Sequence, residues 1–529
     1  MGWYILTYVE GLSLILLLVG ALAVTALSGR YGLPAPLTLV VAGLGVSMIP
    51  DIPDFQLDPD LVLFAILPPL LYSAALDSSA IRIKANIRSI GLLAVGLVLF
   101  TTGCVGLVAW WLVPGLPLPA ALVLGAVVAP PDAVAAVAIG RRLGLPRRMM
   151  TVLAGESLFN DATALTAVRV GVAALGTGFS VWSGLGDLLL AGAGGVLLGA
   201  VLGRVVHQVR LRLGDPRLES ALGLVVPFAA YAIAEQVHLS GVVAVVVTGL
   251  YLGHHAPAAG YATRLQDGAV WRAADTVLEA FVFALIGLQL PTVLGGVQGE
   301  LGPLLIAAVA VLATVVLARV VWVFPAIYLP RMLVPKLRAR DPAPPWQVPT
   351  VVSWAGMRGV VTLAAAFSLP EFVGGAPFPG RSEIIFLAFF VTIATLLLHG
   401  LTLPWVIRRL GVQGTESYDD TLAEAGAIHA ATQAALARLD ELTDTAPDDV
   451  VDRLRAAAEH RSHRVWERLG RPETEHGEPP TVVHRRLRLE MLTAERATLV
   501  ALRNEGRIDD EVLSRAVHDL DLEEALLNR

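Results

Sequence analysis

The chain has 529 residues, 55% of them hydrophobic and 16% charged, with a formal net charge of −6 and a mean hydropathy of +0.67. That balance is far more apolar than a soluble domain reaches and marks an integral membrane protein. Neither of its only lysines, Lys84 and Lys336, follows a Gly, so no GxxxxGK[ST] phosphate loop exists and any pumping must draw on another ion's gradient rather than on ATP. The single cysteine, Cys104, lies in an apolar run and excludes both an intrachain disulfide and cysteine-based zinc spacing.

In chain order, the N-terminal MGWYILTYVEG has no basic n-region and no cleavage site, so the first apolar run is read as a retained span. Windows of about 20 apolar residues predict thirteen spans, at 8–28, 35–50, 61–77, 89–113, 119–139, 149–175, 181–206, 218–236, 239–254, 272–290, 302–328, 347–369 and 383–408. Loops after odd-numbered spans carry Arg30, then Arg82, Lys84 and Arg88, then Arg141, Arg142, Arg147 and Arg148, then Arg210, Arg212 and Arg217, then Arg264, then Arg331, Lys336, Arg338 and Arg340. Those after even-numbered spans carry only Arg381. Basic loops stay in the cytoplasm, which predicts an outside N-terminus and an inside C-terminus.

Two spans are interrupted. Span five reads VVAPPDAVAAVAI, where Pro130 and Pro131 remove two backbone donors at mid-span and Asp132 follows at once. Span twelve reads SWAGMRGVVTL, with Arg358 between Gly356 and Gly359. Each break alone is compatible with a packing kink. Together, seven spans apart and so oppositely oriented, they fit two inverted repeats of six spans around a lone seventh, a pattern that marks a substrate site near the midplane. The half-helix ends carry partial charges that Asp132 and Arg358 are placed to offset.

Span six contains GESLFNDATAL, residues 155–165. An ionisable group at that depth costs at least about 2.5–3.5 kcal/mol, so each one has a partner or a transport role. Ser157 and Asp161 are four apart and share one helical face, while Glu156 and Asn160 share the adjacent one. The two carboxylates therefore serve different ends. Glu156 is expected to form a buried ion pair with Arg358, with Arg319 of span eleven as the other available cation. Asp161 either exchanges ions or is held protonated as a structural acid. Arg169 is expected to snorkel to the outer surface, and Asp275 and Glu279 to line a cytoplasmic funnel.

Beyond residue 411 the composition turns to alternating charge with Leu and Ala at helical spacing, which predicts a cytoplasmic helical domain over 411–529 after a transmembrane domain over 1–410. Its His429, His460, His463, His476, His484 and His518 belong either to a solvated helical surface or to a pH sensor.

GESLFND in one span, the broken span with Asp132 before it, FVFALIGLQL at 281–290 and WAGMRG at 354–359 together resemble the sodium/proton exchangers of the monovalent cation:proton antiporter-1 family, over roughly residues 8–410. The resemblance implies that Asp161 exchanges cation for proton, that Ser157 ligates the cation, that Asn160 fixes local geometry, and that Glu156 pairs with an Arg on a later span, here Arg358. It also implies a homodimer in the cell membrane. Where the family usually has Thr-Asp-Pro, this chain has Pro131-Asp132-Ala133. The Thr hydroxyl is missing, and backbone carbonyls freed at Pro130 and Pro131 are expected to ligate instead.

A single carboxylate near neutral pH holds a proton or a hard monovalent cation with oxygen ligands, never both. Competition at Asp161 then couples a cation, whether sodium, potassium or lithium, to a proton moving the other way. With Glu156 tied to an Arg, exchange is expected to be one for one and electroneutral, unless Asp132 also titrates. The alternative is a cation channel without proton coupling, which broken inverted repeats disfavour. A hydrolase built on Ser157 lacks a His or Lys base at mid-span. No enzyme activity, cofactor or nucleic-acid partner is expected; the partners are the two ions and the lipid bilayer.

Overall fold

The computed structural model describes residues 2–50, 58–177, 181–297, 300–412, 414, 416–443, 447–469, 480–505 and 507–527. The chain forms two units, Met1–Gly414 and Thr415–Arg529.

The first unit is helical. It opens with α1 (Gly2–Tyr31) and α2 (Ala35–Ser47), then a π-helical turn, Leu61–Ile66, running into α3 (Leu67–Leu76). Two short helices, α4 (Ala80–Ala85) and α5 (Ile87–Gly91), lead through a second π turn to α6 (Val98–Leu112). There follow α7 (Leu118–Val128), α8 (Ala133–Arg142), α9 (Arg147–Thr177), α10 (Val181–Leu213), α11 (Pro216–Gln236), α12 (Gly241–His255) and α13 (Tyr261–Leu288). The unit closes with α14 (Leu290–Gly295), α15 (Leu301–Leu333), α16 (Pro335–Arg340), α17 (Gln347–Trp354), α18 (Val360–Phe367) and α19 (Arg381–Leu410), with a two-residue hairpin pairing Phe372–Val373 with Ala376–Pro377 before α19.

Nine helical stretches among the described residues are long and apolar enough to cross a membrane. The other four predicted spans correspond to shorter pieces: α2, the Leu61–Leu76 stretch, α7 with α8, and α17 with α18. Both interruptions fall where Pro130–Pro131 and Gly356–Gly359 place them. The span expected at 272–290 is longer at its N-terminal end, because α13 begins at Tyr261. Charge at Arg264 and Arg272 bounds the apolar window, but backbone hydrogen bonding continues past it.

The core sits where α2, α7, α9, α13, α15 and α19 meet. Close approach of α2 and α13 requires glycine on both. A Cβ at Gly43 would lie 2.6 Å from the Ala284 carbonyl oxygen, and Gly287 packs against the α2 backbone in return. By contrast α1 and α10 bury little, and Leu16, Val19, Leu190 and Leu197 stand exposed, as lipid-facing side chains do.

The second unit contains α20 (Glu416–Glu441), α21 (Asp448–Leu469), α22 (Pro480–Asn504) and α23 (Asp510–Leu527). α20 packs on α21, and α22 on α23, the second pair laced by Arg488–Glu523 and Arg496–Glu524 ion pairs. His429, His484 and His518 are exposed. His476 lies outside the described residues, as do the side chains of His460 and His463.

Candidate functional site

The two interruptions meet in the core. The Asp132 amide donates to the Met357 carbonyl at 2.6 Å, tying the break between α7 and α8 to the break between α17 and α18. Each break supplies a charge to the other helix. From the α17–α18 side, Arg358 donates from Nε to the Val128 carbonyl at 3.1 Å and from Nη2 to the Ala129 carbonyl at 3.4 Å, and it also donates to its own Gly356 carbonyl. A cation thus sits at the C-terminal end of α7, the negative pole of that half-helix. From the α7–α8 side, the Asp132 carboxylate lies against Gly359, the residue before α18, where any Cβ would collide with it. An anion thus sits at the positive pole of α18.

α9 runs past this crossing. Asn160 is fully buried and donates from Nδ2 to the Pro131 carbonyl at 2.7 Å, which lies in the break between α7 and α8. Its Oδ1 has no hydrogen-bond partner among the described residues. One turn apart on the other face, Ser157 and Asp161 line a cavity of about 590 Å³ together with Pro130, Pro131 and Asp132. Asp161 is 6% exposed. The same cavity is lined by Asp275 and Glu279 of α13, and Arg141, Arg142 and Arg408 stand along its wall. Glu156 and Asn160 do not line it, as their offset of one residue from the Ser157–Asp161 face predicts.

The expected Glu156–Arg358 ion pair is corrected. Glu156 is held by Arg319 of α15 in a bidentate pair, Nη1 to Oε1 at 2.5 Å and Nη2 to Oε2 at 2.9 Å, with both side chains at most 2% exposed. Arg319 also donates from Nε to the Val352 carbonyl at 3.2 Å, so the pair joins α9, α15 and α17. Arg358 is committed elsewhere, because the carbonyls freed by the broken α7 take its donors. Arg169 pairs with Glu235 at 2.7 Å while staying half-exposed.

The family profile described as "Sodium/hydrogen exchanger, transmembrane" matches residues 14–409. The chain belongs to the sodium/hydrogen exchanger family. An uncharacterized Na(+)/H(+) exchanger of Mycobacterium tuberculosis is 36% identical to this exchanger, covering 98% of this chain and 96% of its own. The low-affinity Na(+)/H(+) antiporter NhaS1 of Synechocystis is 30% identical, covering 91% and 90%. Among solved structures, the sodium proton antiporter MjNhaP1 of Methanocaldococcus jannaschii superposes with a TM-score of 0.60 at 18% identity, covering 77% of this chain and 99% of its own, which shows a shared fold. As a family member the chain is a multi-pass membrane protein that exchanges cations for protons.

Two residues of the candidate site have no counterpart in the sequence reading. Thr362 of α18 is buried and lines the same cavity as Asp161. Thr395 of α19 accepts from the Arg358 amide at 3.1 Å, holding the second break open. A single threonine in an apolar span carries no pattern in sequence, so neither had a signal.

Proposed function

We propose that this exchanger moves one monovalent cation inward or outward against one proton at Asp161, by alternating access of a single site. Asp161 and Ser157 hold the cation, with Asp132 near it and the Pro131 carbonyl and Asn160 setting the geometry at the double-proline break. The observation that carries this reading is the cavity. It reaches Asp161 between the two interrupted helices, and Arg141, Arg142 and Arg408 on its wall belong to the ends that the charge of the loops assigns to the cytoplasm. No residue of the opposite loops, such as Arg381 or Glu371, lines it among the described residues. Access from one side only is what alternating access requires and what an open channel lacks.

Thr362 supplies the oxygen that the Pro131-Asp132-Ala133 sequence does not, a role supported by its place in the lining of the same cavity. Glu156, neutralised by Arg319, stays out of the cycle, so exchange at Asp161 alone is electroneutral. The working topology is thirteen spans in two inverted repeats of six, N-terminus outside and C-terminus inside, with the 411–529 segment in the cytoplasm and two copies per assembly in the cell membrane. Sodium, potassium and lithium all fit a site of hard oxygen ligands.

Asp161→Asn keeps size and hydrogen bonding but not the charge the cation needs. In proteoliposomes with an imposed pH gradient, the variant is expected to be inert to sodium, potassium and lithium while eluting as folded protein. Gradient dissipation by Asp161→Asn on addition of any of the three cations sinks the assignment.

A further inference from the structure

Away from the exchange site, three arginines from different helices converge on one carboxylate at the basic-loop face. Arg148 at the start of α9 donates from Nη1 to Asp341 Oδ1 at 2.6 Å and from Nη2 to Oδ2 at 2.9 Å. Arg331 of α15 donates to Oδ2 at 2.7 Å, and Arg88 of α5 reaches the same oxygen at 3.4 Å. Hydrogen bonds from Arg148 hold the Asp341 carboxyl below its usual range, so it is ionised at neutral pH. Among the described residues no other carboxylate pairs with these arginines, which leaves two positive charges uncompensated. Arg88 Nη1 is buried and has no hydrogen-bond partner among the described residues, although the Arg88 side chain as a whole is 35% exposed.

Beside the cluster lies a cavity of about 70 Å³, room for roughly two waters at about 30 Å³ each. It is lined by Arg148 and Arg331 and by the buried Leu93, Met149 and Val352. The surroundings are those of a membrane boundary. Trp346, Met332 and Leu333 are exposed nearby in sequence, and so are Lys336 and Arg338. A free inorganic anion has no use for exposed apolar side chains beside the cluster. An acyl chain does.

We infer that the Arg88–Arg148–Arg331 cluster is a binding site for the phosphate of an anionic phospholipid, with the headgroup among the guanidinium groups and the acyl chain along the exposed Met332 and Leu333 that follow Arg331. Guanidinium groups match phosphate oxygens geometrically, and basic pockets between membrane helices on the cytoplasmic side suit such headgroups. Asp341 then competes with the lipid for the same donors.

The test is native mass spectrometry of the purified full chain titrated with phosphatidylglycerol, phosphatidylcholine or inorganic phosphate. The first phosphatidylglycerol is expected to bind selectively, and inorganic phosphate not to displace it. Arg88→Gln is expected to weaken that first binding about fivefold, one surface charge's worth. Asp341→Asn frees the donors, so it is expected to tighten the binding while lowering thermal stability in lipid-free detergent; a purely structural hub would lose stability with no gain in lipid. Equal retention of phosphatidylcholine, displacement by inorganic phosphate, or unchanged affinity in Arg88→Gln overturns the proposal. If Arg88→Gln does not purify, the Asp341→Asn arm decides alone. No readout involves transport, so the result is independent of the exchange mechanism.

Discussion

Arg319→Ala removes the cation from a carboxylate that has no other ion-pair partner among the described residues. Glu156 and Arg319 are at most 2% exposed and share two charge-assisted hydrogen bonds. Stranding one member of such a pair costs about 3–5 kcal/mol. Arg319→Ala also loses the bond to the Val352 carbonyl, worth about another 1 kcal/mol. Arg319→Ala is therefore expected to be the more damaging single variant, Glu156→Ala the milder, and the double variant close to the worse single rather than to the sum. Denaturant titration of all four proteins in mixed micelles, followed by tryptophan fluorescence, measures the cycle. Additive losses in this cycle, with recovery instead in a Glu156/Arg358 cycle, would show that the bidentate geometry is not the stabilising one.

Electroneutral exchange predicts that pH-gradient dissipation in proteoliposomes does not change when potassium and valinomycin clamp the voltage and sodium is the transported ion. A voltage-dependent rate that disappears in Asp132→Asn would instead make Asp132 a second proton carrier. Gly359→Ala drives a methyl group into the Asp132 carboxylate, and overpacking of this kind costs about 1–3 kcal/mol. The variant is expected to lower the thermal midpoint and abolish exchange, with Asp132→Ala in the same chain restoring the midpoint; a wild-type midpoint in Gly359→Ala alone refutes the close approach.

Much of this architecture is legible in the chain because membrane depth leaves so few options. Pro130 and Pro131 remove two neighbouring backbone donors directly before Asp132, and that combination marks a break where prolines alone, as in α11 and α15, do not; Gly356–Gly359 around Arg358 mark the second. The separation of Ser157 and Asp161 from Glu156 and Asn160 follows from helical period alone. The partner of Glu156 does not follow. Arg319 and Arg358 are both single cations in late spans, and nothing local ranks them. What decides is a demand from elsewhere, the carbonyls of Val128 and Ala129 that take Arg358 and leave Arg319 for the carboxylate. Thr362 and Thr395 were illegible for a different reason. A hydroxyl in a helix normally bonds its own preceding turn, so its presence at a site is visible only once the neighbouring helices are in place.

The exchange of charge between the two breaks sets a problem of timing during synthesis. Arg358 caps carbonyls 230 residues earlier in the chain. At about 5–20 residues per second, the ribosome takes on the order of 10–50 s to deliver the guanidinium after α7 has been made. For that interval the end of α7 has no protein cap, and hydrocarbon cannot satisfy it. Water or the insertion machinery must do so. A nascent chain stalled before residue 358 should therefore leave a cysteine placed at Ala129 open to a water-soluble thiol reagent, and release of the full chain should close it; equal labelling of both would mean that the cap is not what seals the break.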